Sequence, residues 1–491
     1  MSPAGSLPST SGSLRSPALA LILLLGALSA SYLYGLGGVG LLGPDEPRYA
    51  SIAREMARSG DWITPRLWGE PWFEKPPLLY WLTALGRLAG LDDHWAPRVP
   101  IALLSVLFLA AYLLLLRRIE SPRTAWIATL ILSTTAGWSA YSQIGVTDLP
   151  LAATFNAALL LALLWLETGS RPAILGAGLC FGLAILAKGL VPFVLVLPLL
   201  WLVRRRWREL VLPAIAAAAV AVPWYAALLA LHGRAFFGEF FLRHHLARFS
   251  SGETLHAQPF WFYLPVLLGA LFPWPAALAL LSRRALLSPA MRILAATALF
   301  GFVFFSVAAG KLPGYILPLL PPLCALLARA LDSAPRAGRT LALSAFLLGL
   351  CPVIAGILPD SLLFGLRRAS FEDVDLNFFA LILPFAALAW WLDRTARRIH
   401  AVTLVAALAA LGLLFVKFSA GPALDQAVSA RGLWRKVAPR AQSTCVDSLH
   451  RAWRYGLNYY SVVPLPDCDG GNARFMLRQE PNSIPRLQPR P

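Results

Sequence analysis

Asp45, Glu46, Arg48, Arg54, Glu55, Asp61, Glu74 and Lys75 crowd into the stretch between the first long apolar run and the next, interleaved with Tyr49, Trp62, Trp72 and Phe73. Charge at this density beside a membrane is costly unless it pairs or works, and a passive connector needs none of it. Acids and bases mixed in this way can neutralise an anionic group while a carboxylate orients or deprotonates a partner, so the stretch points to chemistry at the membrane surface. His244, His245 and His256 occupy a second polar stretch, and Glu74 meeting one of them in space would suit a divalent metal such as Zn²⁺. No His-Glu-x-x-His spacing accompanies them, and interfacial histidines without a metal are the commoner case, so the metal stays open.

The elements that must position these residues are membrane helices. With 58% hydrophobic and 14% charged residues in 491, the chain has more apolar surface than a globule could hide, and it reads as an all-α polytopic membrane protein. Many of the seventeen Trp lie beside the ends of apolar runs, where an amphipathic ring prefers the interface. Apolar runs long enough to cross a bilayer number about thirteen, over 17–37, 98–116, 124–141, 149–166, 172–187, 189–203, 210–231, 260–282, 293–309, 312–331, 340–359, 376–392 and 401–418. Residues 1–14, rich in Ser, Pro and Gly, read as a disordered leader, and 15–418 as the transmembrane domain. The first run could instead be a cleaved signal peptide, since Arg15 precedes it and Ala27-Leu28-Ser29 resembles a cleavage site, but it continues apolar through Tyr34.

Arg117/Arg118/Arg123, Arg204/Arg205/Arg206/Arg208, Arg283/Arg284/Arg292, Arg336/Arg339 and Arg394/Arg397/Arg398 all fall on one side of this topology, which the positive-inside rule assigns to the cytoplasm. The net charge of +18 is largely that bias plus a basic tail, which disfavours a nucleic-acid partner and favours anionic lipid head groups. Three long pieces then lie outside, 38–97, 232–259 and 419–491. In the first, Tyr49, Ile52, Ala53 and Met56 make one apolar helical face opposite Arg54 and Arg58, and Leu78, Trp81, Leu82, Leu85 and Leu88 make another, as helices lying in the interface would. In the last, Cys445 and Cys468 are placed to form a disulfide in an oxidising compartment, and alternating Leu457, Tyr459, Ser461 and Val463 suggest a small mixed domain over the membrane site. Cys180, Cys324 and Cys351 fall in apolar runs and read as packing residues.

Asp45-Glu46-Pro47-Arg48-Tyr49, Ser59-Gly60-Asp61-Trp62-Ile63-Thr64-Pro65-Arg66 and Phe73-Glu74-Lys75-Pro76-Pro77-Leu78-Leu79-Tyr80-Trp81 resemble the bacterial aminoarabinose lipid A transferases, relatives of the protein O-mannosyltransferases. The likeness continues through Thr147-Asp148-Leu149-Pro150-Leu151, Leu186-Ala187-Lys188-Gly189, Gln258-Pro259-Phe260-Trp261-Phe262-Tyr263 and Lys311-Leu312-Pro313-Gly314-Tyr315, in that order. The resemblance implies the GT-C glycosyltransferase fold in the bacterial inner membrane, a site open to the periplasm, an undecaprenyl-phosphate sugar donor and lipid A or another envelope glycolipid as acceptor. A protein O-glycosyltransferase is the alternative enzyme, and a lipid-linked sugar transporter the alternative class. The chain shows no Gly-rich phosphate loop, in keeping with a lipid-carried donor and no nucleotide cofactor.

Displacing a polyprenyl phosphate from an anomeric carbon builds charge on the leaving phosphate, so fixed cations are needed there. Lys75, Arg48 and Lys311, with Tyr315, are the donor-phosphate candidates that the resemblance implies. Lys75 and Lys188 could instead be snorkelling anchors, and Arg48 could merely cover its own helix. Asp45 and Asp148 are the candidate catalytic carboxylates, each with helix capping as its alternative role. For a hydroxyl acceptor Asp45 would be the base; for a phosphate acceptor, already ionised, it would orient. The family pattern nominates Glu74 with His256 for a metal.

Overall fold

The computed structural model of the chain describes residues 30–241, 257–365, 377–469, 473–480 and 483–490, with Leu23, Gly26 and Ala27. Helix α1 (Asp45–Ser59) buries Tyr49, Ile52, Ala53 and Met56, the face its spacing predicts, and ends at Gly60, whose positive φ of 71° lets its N–H return to the Met56 carbonyl. Arg54, expected on the polar side, is instead buried, because the C-terminal part of the chain covers that side: its Nη1 donates to the Tyr459 carbonyl at 2.9 Å. In α2 (Leu78–Leu88) the buried residues are Leu78, Leu79, Tyr80, Thr83, Ala84 and Gly86, while Leu85 and Leu88 face outward. The packed stripe is thus rotated from the predicted leucine face, whose lower half is left for an apolar surrounding.

Between these helices a hairpin, β1 (Arg66–Leu67) and β2 (Glu70–Pro71), turns through Trp68 and Gly69, both at positive φ. The Glu55 carboxylate of α1 accepts from both turn amides, at 2.5 and 3.0 Å, and so offsets the strain of a tryptophan in the left-handed region.

The bundle contains α3 (Val99–Ile119), α4 (Pro122–Thr134), α5 (Asp148–Thr168), α6 (Arg171–Lys188), α7 (Val211–Phe237), α8 (Pro289–Val307), α9 (Leu320–Ser333), α10 (Gly338–Leu347), α11 (Cys351–Phe364), α12 (Asn377–Arg394) and α13 (Arg398–Val428). Serines start several of them: Ser121, Ser170 and Ser288 each accept from an amide in the first turn, with proline in that turn where no donor is needed. Helix α5 packs on α3 and α6, and α6 on α7. Among the described residues eight helices are long and apolar enough to cross a membrane. Hydropathy treats 189–203 and 260–282 as single spans, but the chain breaks both. The first becomes Val191–Leu195 and Leu197–Val203, and the second becomes short turns around Tyr263–Ala270 and Pro275–Leu280. Pro198, Pro273 and Pro275 lack the amide that a continuous helix requires.

Helix α14 (Ala430–Val437), α15 (Arg451–Ser461) and the sheet β3 (Thr444–Ser448), β4 (Phe475–Arg478), β5 (Arg486–Pro489) make the C-terminal part, in strand order β3-β4-β5. Strands β3 and β4 run parallel, β4 and β5 antiparallel, over a core of Leu433, Val437, Val446, Trp453, Leu457 and Leu477. Cys445 and Cys468 are joined by a disulfide. The alternation over 457–463 is not a strand: Trp453 and Leu457 share one buried helical face of α15.

A buried ion pair ties α1 to the start of α3. Glu46 and Arg98, both buried, meet through Oε1 to Nε and Oε2 to Nη2, each at 2.7 Å. The carboxylate also accepts from the amides of Leu42 and Gly145 at 2.7 and 2.9 Å. The guanidinium donates to the carbonyls of Leu36, Val39 and Gly40. Every strong donor and acceptor of the pair is used, the condition under which buried charge is tolerated. Removing one partner, as in Arg98→Ala, should cost about 3–5 kcal/mol, read as a fall in the thermal midpoint of detergent-solubilised protein. Arg454→Ala, which breaks only a solvent-facing pair with Asp467, should change it by less than about 1 kcal/mol.

Candidate active site

Asp45 is the first helical residue of α1, but Pro44 takes the capping position and the Asp45 side chain makes no cap hydrogen bond. Its carboxylate, 40% exposed, instead accepts from Arg48 Nη2 at 2.6 Å. The same Nη2 lies 3.1 Å from Glu74 Oε2, and Glu74 Oε1 lies 3.3 Å from Lys75 Nζ. Asp45, Arg48, Glu74 and Lys75 therefore form one alternating chain of charge, carried by the first turn of α1 and by the stretch that Pro76 and Pro77 stiffen before α2. Arg48 does not simply cover its helix. Its Cζ lies 5.2 Å from the ring of Tyr49 and 5.4 Å from those of Trp72 and Tyr455. Burial works against its charge, but Tyr49, Glu74 and Asp45 outweigh burial and raise its pKa, so it remains a cation.

Asp148 likewise opens α5 without capping it, Thr147 being the flanking residue. Its Oδ1 accepts from Lys188 Nζ, at the end of α6, at 2.5 Å. Lys188 is thus an ion-pair partner rather than a snorkelling anchor, and it sits 4.6 Å from the centre of the Tyr315 ring. Gly314 makes this approach possible, because a Cβ there would lie 2.7 Å from Asp148 Cγ and from the Tyr141 hydroxyl. The Tyr141 hydroxyl and the Asp148 carboxylate thus both crowd Gly314.

Lys311 goes elsewhere. Nearly fully buried, it donates to the carbonyls of Gln258 and Ala308 at 2.9 and 2.5 Å, and so straps two backbone segments rather than joining Lys75. His244, His245 and His256 lie outside the described residues. Among the described residues no three His, Cys, Asp or Glu side chains converge, and the Glu74 oxygens face Arg48 and Lys75. Tyr141, Tyr455 and the Glu46–Arg98 pair are contributors the sequence does not single out; the one available signal is the placement of Glu46 beside Asp45.

Helices α5, α6 and α7, with Val191–Val203, enclose an apolar groove of about 550 Å³ lined by residues that include Phe155, Trp165, Phe181 and Tyr225. Ile185 and Leu190 also line it, so one end lies beside Lys188.

This helical membrane bundle, with a charged, aromatic-lined site at the ends of its helices, is similar to polytopic membrane glycosyltransferases of the GT-C fold. A family model described as dolichyl-phosphate-mannose-protein mannosyltransferase matches residues 74–230. An undecaprenyl phosphate-α-4-amino-4-deoxy-L-arabinose arabinosyl transferase from Pseudomonas aeruginosa (strain UCBPP-PA14) is 37% identical over 391 residues, 75% of this chain and 69% of that protein. The crystal structure of ArnT from Cupriavidus metallidurans bound to undecaprenyl phosphate superposes with a TM-score of 0.73 at 25% identity, covering 92% of this chain and 86% of the other. Arabinosyltransferase EmbB from Mycobacterium smegmatis shares the fold, at a TM-score of 0.50 and 15% identity over 89% of this chain and 42% of its own. The chain belongs to the undecaprenyl phosphate-4-amino-4-deoxy-L-arabinose arabinosyl transferase family.

Gly314→Ala tests the Asp148–Lys188–Tyr315 arrangement. The added methyl should push Asp148 and Tyr141 away while the bundle stays folded, and lower turnover by about a hundredfold. Normal turnover with an unchanged elution profile would mean that the packing of this group is irrelevant to the reaction.

Proposed function

We propose that this chain transfers 4-amino-4-deoxy-L-arabinose from undecaprenyl phosphate to a phosphate of lipid A, at a site facing the periplasm of a bacterial inner membrane. The sugar and its carrier are those in the names of the relatives. The periplasmic orientation is supported by the basic loops, and the acceptor by the motif resemblance in the first loop. The observation that carries the reading is the pair of cations, Arg48 and Lys75, each held by a carboxylate beside an aromatic wall.

An acceptor phosphate oxygen attacks the anomeric carbon, the bond from that carbon to the donor phosphate oxygen breaks, and its electron pair leaves on undecaprenyl phosphate. Lys75 and Arg48 meet the charge that grows on the leaving phosphate. Lys188, rather than Lys311, is the third cation available to the reaction, with Tyr315 against it. The acceptor phosphate is already ionised, so Asp45 acts by fixing Arg48 and orienting the acceptor; towards a hydroxyl it would be the base. Asp148 sets the position of Lys188. The groove beside Lys188 suits the apolar chain of the carrier. No step runs through a metal; the Glu74–His256 site remains a proposal that the metal content of purified protein tests.

The second reading, transfer to a protein hydroxyl, is favoured by the description of the matching family model. Purified protein supplied with radiolabelled donor, lipid A and envelope protein separates the two, since the label should extract with lipid. Label confined to protein would overturn lipid A as acceptor. In the same assay Asp45→Asn should bind donor but lose about a hundredfold in turnover, because an amide cannot hold Arg48 by charge. Lys75→Ala should raise the donor KM, with Lys75→Arg restoring it in part. Unchanged donor KM in Lys75→Ala would leave this lysine as an interfacial anchor.

A further inference from the structure

The aromatic surround of Arg48 is not supplied by the membrane domain alone. Tyr455, from α15, stands as close to the guanidinium as Trp72 does, and it stacks on Trp68 with ring centres 5.6 Å apart and planes 27° apart. Tyr455, Trp68 and Trp72 are all half-buried, so part of each ring remains uncovered. The indole N–H groups of Trp68 and Trp72 and the Nε of Arg48 are buried donors that find no acceptor among the described residues. Three unanswered donors, one of them on Arg48 itself, are costly, at about 1–3 kcal/mol each, and they mark a place where acceptors come from a ligand.

The recess is also rigidly assembled. Arg54 of α1 donates to the Tyr459 carbonyl and lies 4.5 Å from its ring centre, while the Tyr459 hydroxyl donates to the Asp93 carbonyl at 2.7 Å. Tyr459 is one helical turn beyond Tyr455, so these contacts fix where the Tyr455 ring stands. On the other side Glu55 holds the turn that carries Trp68.

Partly uncovered aromatic faces suit the C–H faces of a sugar ring, free N–H groups suit its hydroxyl and carbonyl oxygens, and a guanidinium suits a phosphate. The walls come from α1, the β1–β2 hairpin and α15, and none of them lines the apolar groove. Such a recess fits a head group rather than a lipid tail. We propose that Tyr455, with Trp68 and Trp72, packs against a sugar ring of the phosphorylated glycolipid acceptor, beside the donor phosphate held at Arg48 and Lys75, so that the C-terminal part of the chain supplies half of the acceptor subsite. This assignment rests on the transfer reaction proposed above and adds the site of the acceptor sugar to it.

The test is steady-state transfer by purified full-length protein, with lipid A and donor varied separately. Tyr455→Ala should raise the KM for lipid A about tenfold, the worth of one aromatic contact, while the donor KM and kcat move less than about threefold. Tyr455→Phe should behave as wild type, because the ring rather than the hydroxyl makes the contact. If Tyr455→Ala does not fold, Tyr455→Leu keeps the bulk without the ring and carries the same expectation. An unchanged lipid A KM, or an equal rise in both KM values, overturns the subsite. Wild-type protein that moves no sugar to lipid A overturns instead the reaction on which the subsite rests.

Discussion

The Glu46–Arg98 pair holds the site together. Two charges taken out of water are a poor source of net stability, since desolvation consumes most of their attraction, but they are a strict source of geometry. Each Glu46 oxygen accepts one guanidinium N–H and one backbone N–H, and Arg98 turns its remaining donors on three carbonyls of the segment before α1. Four stretches are thereby pinned at one point: residues 36–42 and the adjoining first turn of α1, with the start of α3 and the loop before α5, both distant from them in sequence. Asp45 adjoins Glu46, and Asp148 follows Gly145 shortly, so both candidate carboxylates hang from the same fixed point. Neither caps its helix, which leaves both to face cations.

Around this point the chain arranges three kinds of surface. The bundle offers an apolar groove that ends beside Lys188, the first loop offers alternating charge, and α15 closes the charged recess with Tyr455. Docking of the C-terminal part is itself specified by charge. Arg54 reaches Tyr459, and Arg431, paired with Asp425, donates to the carbonyls of Gly37 and Gly38. The segment that feeds the Glu46–Arg98 pair is therefore held from both sides, which couples the position of Asp45 to the seating of the C-terminal part.

Much of this architecture is legible in the amino-acid sequence, and what is not legible has physical reasons. The α1 face is readable because four apolar residues recur at helical spacing, and Glu74-Lys75-Pro76-Pro77 is readable because paired charge beside two prolines has few bland explanations. The Cys445–Cys468 bond follows from two cysteines in one exposed tail. Glu46–Arg98 is not readable, since a contact between residues 52 apart leaves no periodic trace. Nor can sequence decide between Lys188 and Lys311: both follow apolar runs, and only the fold puts one against Asp148 and the other against carbonyls. Hydropathy joins 260–282 into one span because it counts apolar residues and overlooks the missing proline amides. The run 457–463 misleads because alternation and helical periodicity coincide over so few residues.

The central claim is that the cations held by Asp45 and Glu74 are the seat of the donor phosphate. The direct measurement is a structure of the protein in nanodiscs with undecaprenyl phosphate bound. The account predicts phosphate density within hydrogen-bonding distance of Lys75 Nζ and Arg48, with the polyprenyl chain leading away into the apolar part of the bundle. Phosphate seated at Lys311, or at the basic loops on the opposite side of the membrane, would contradict it.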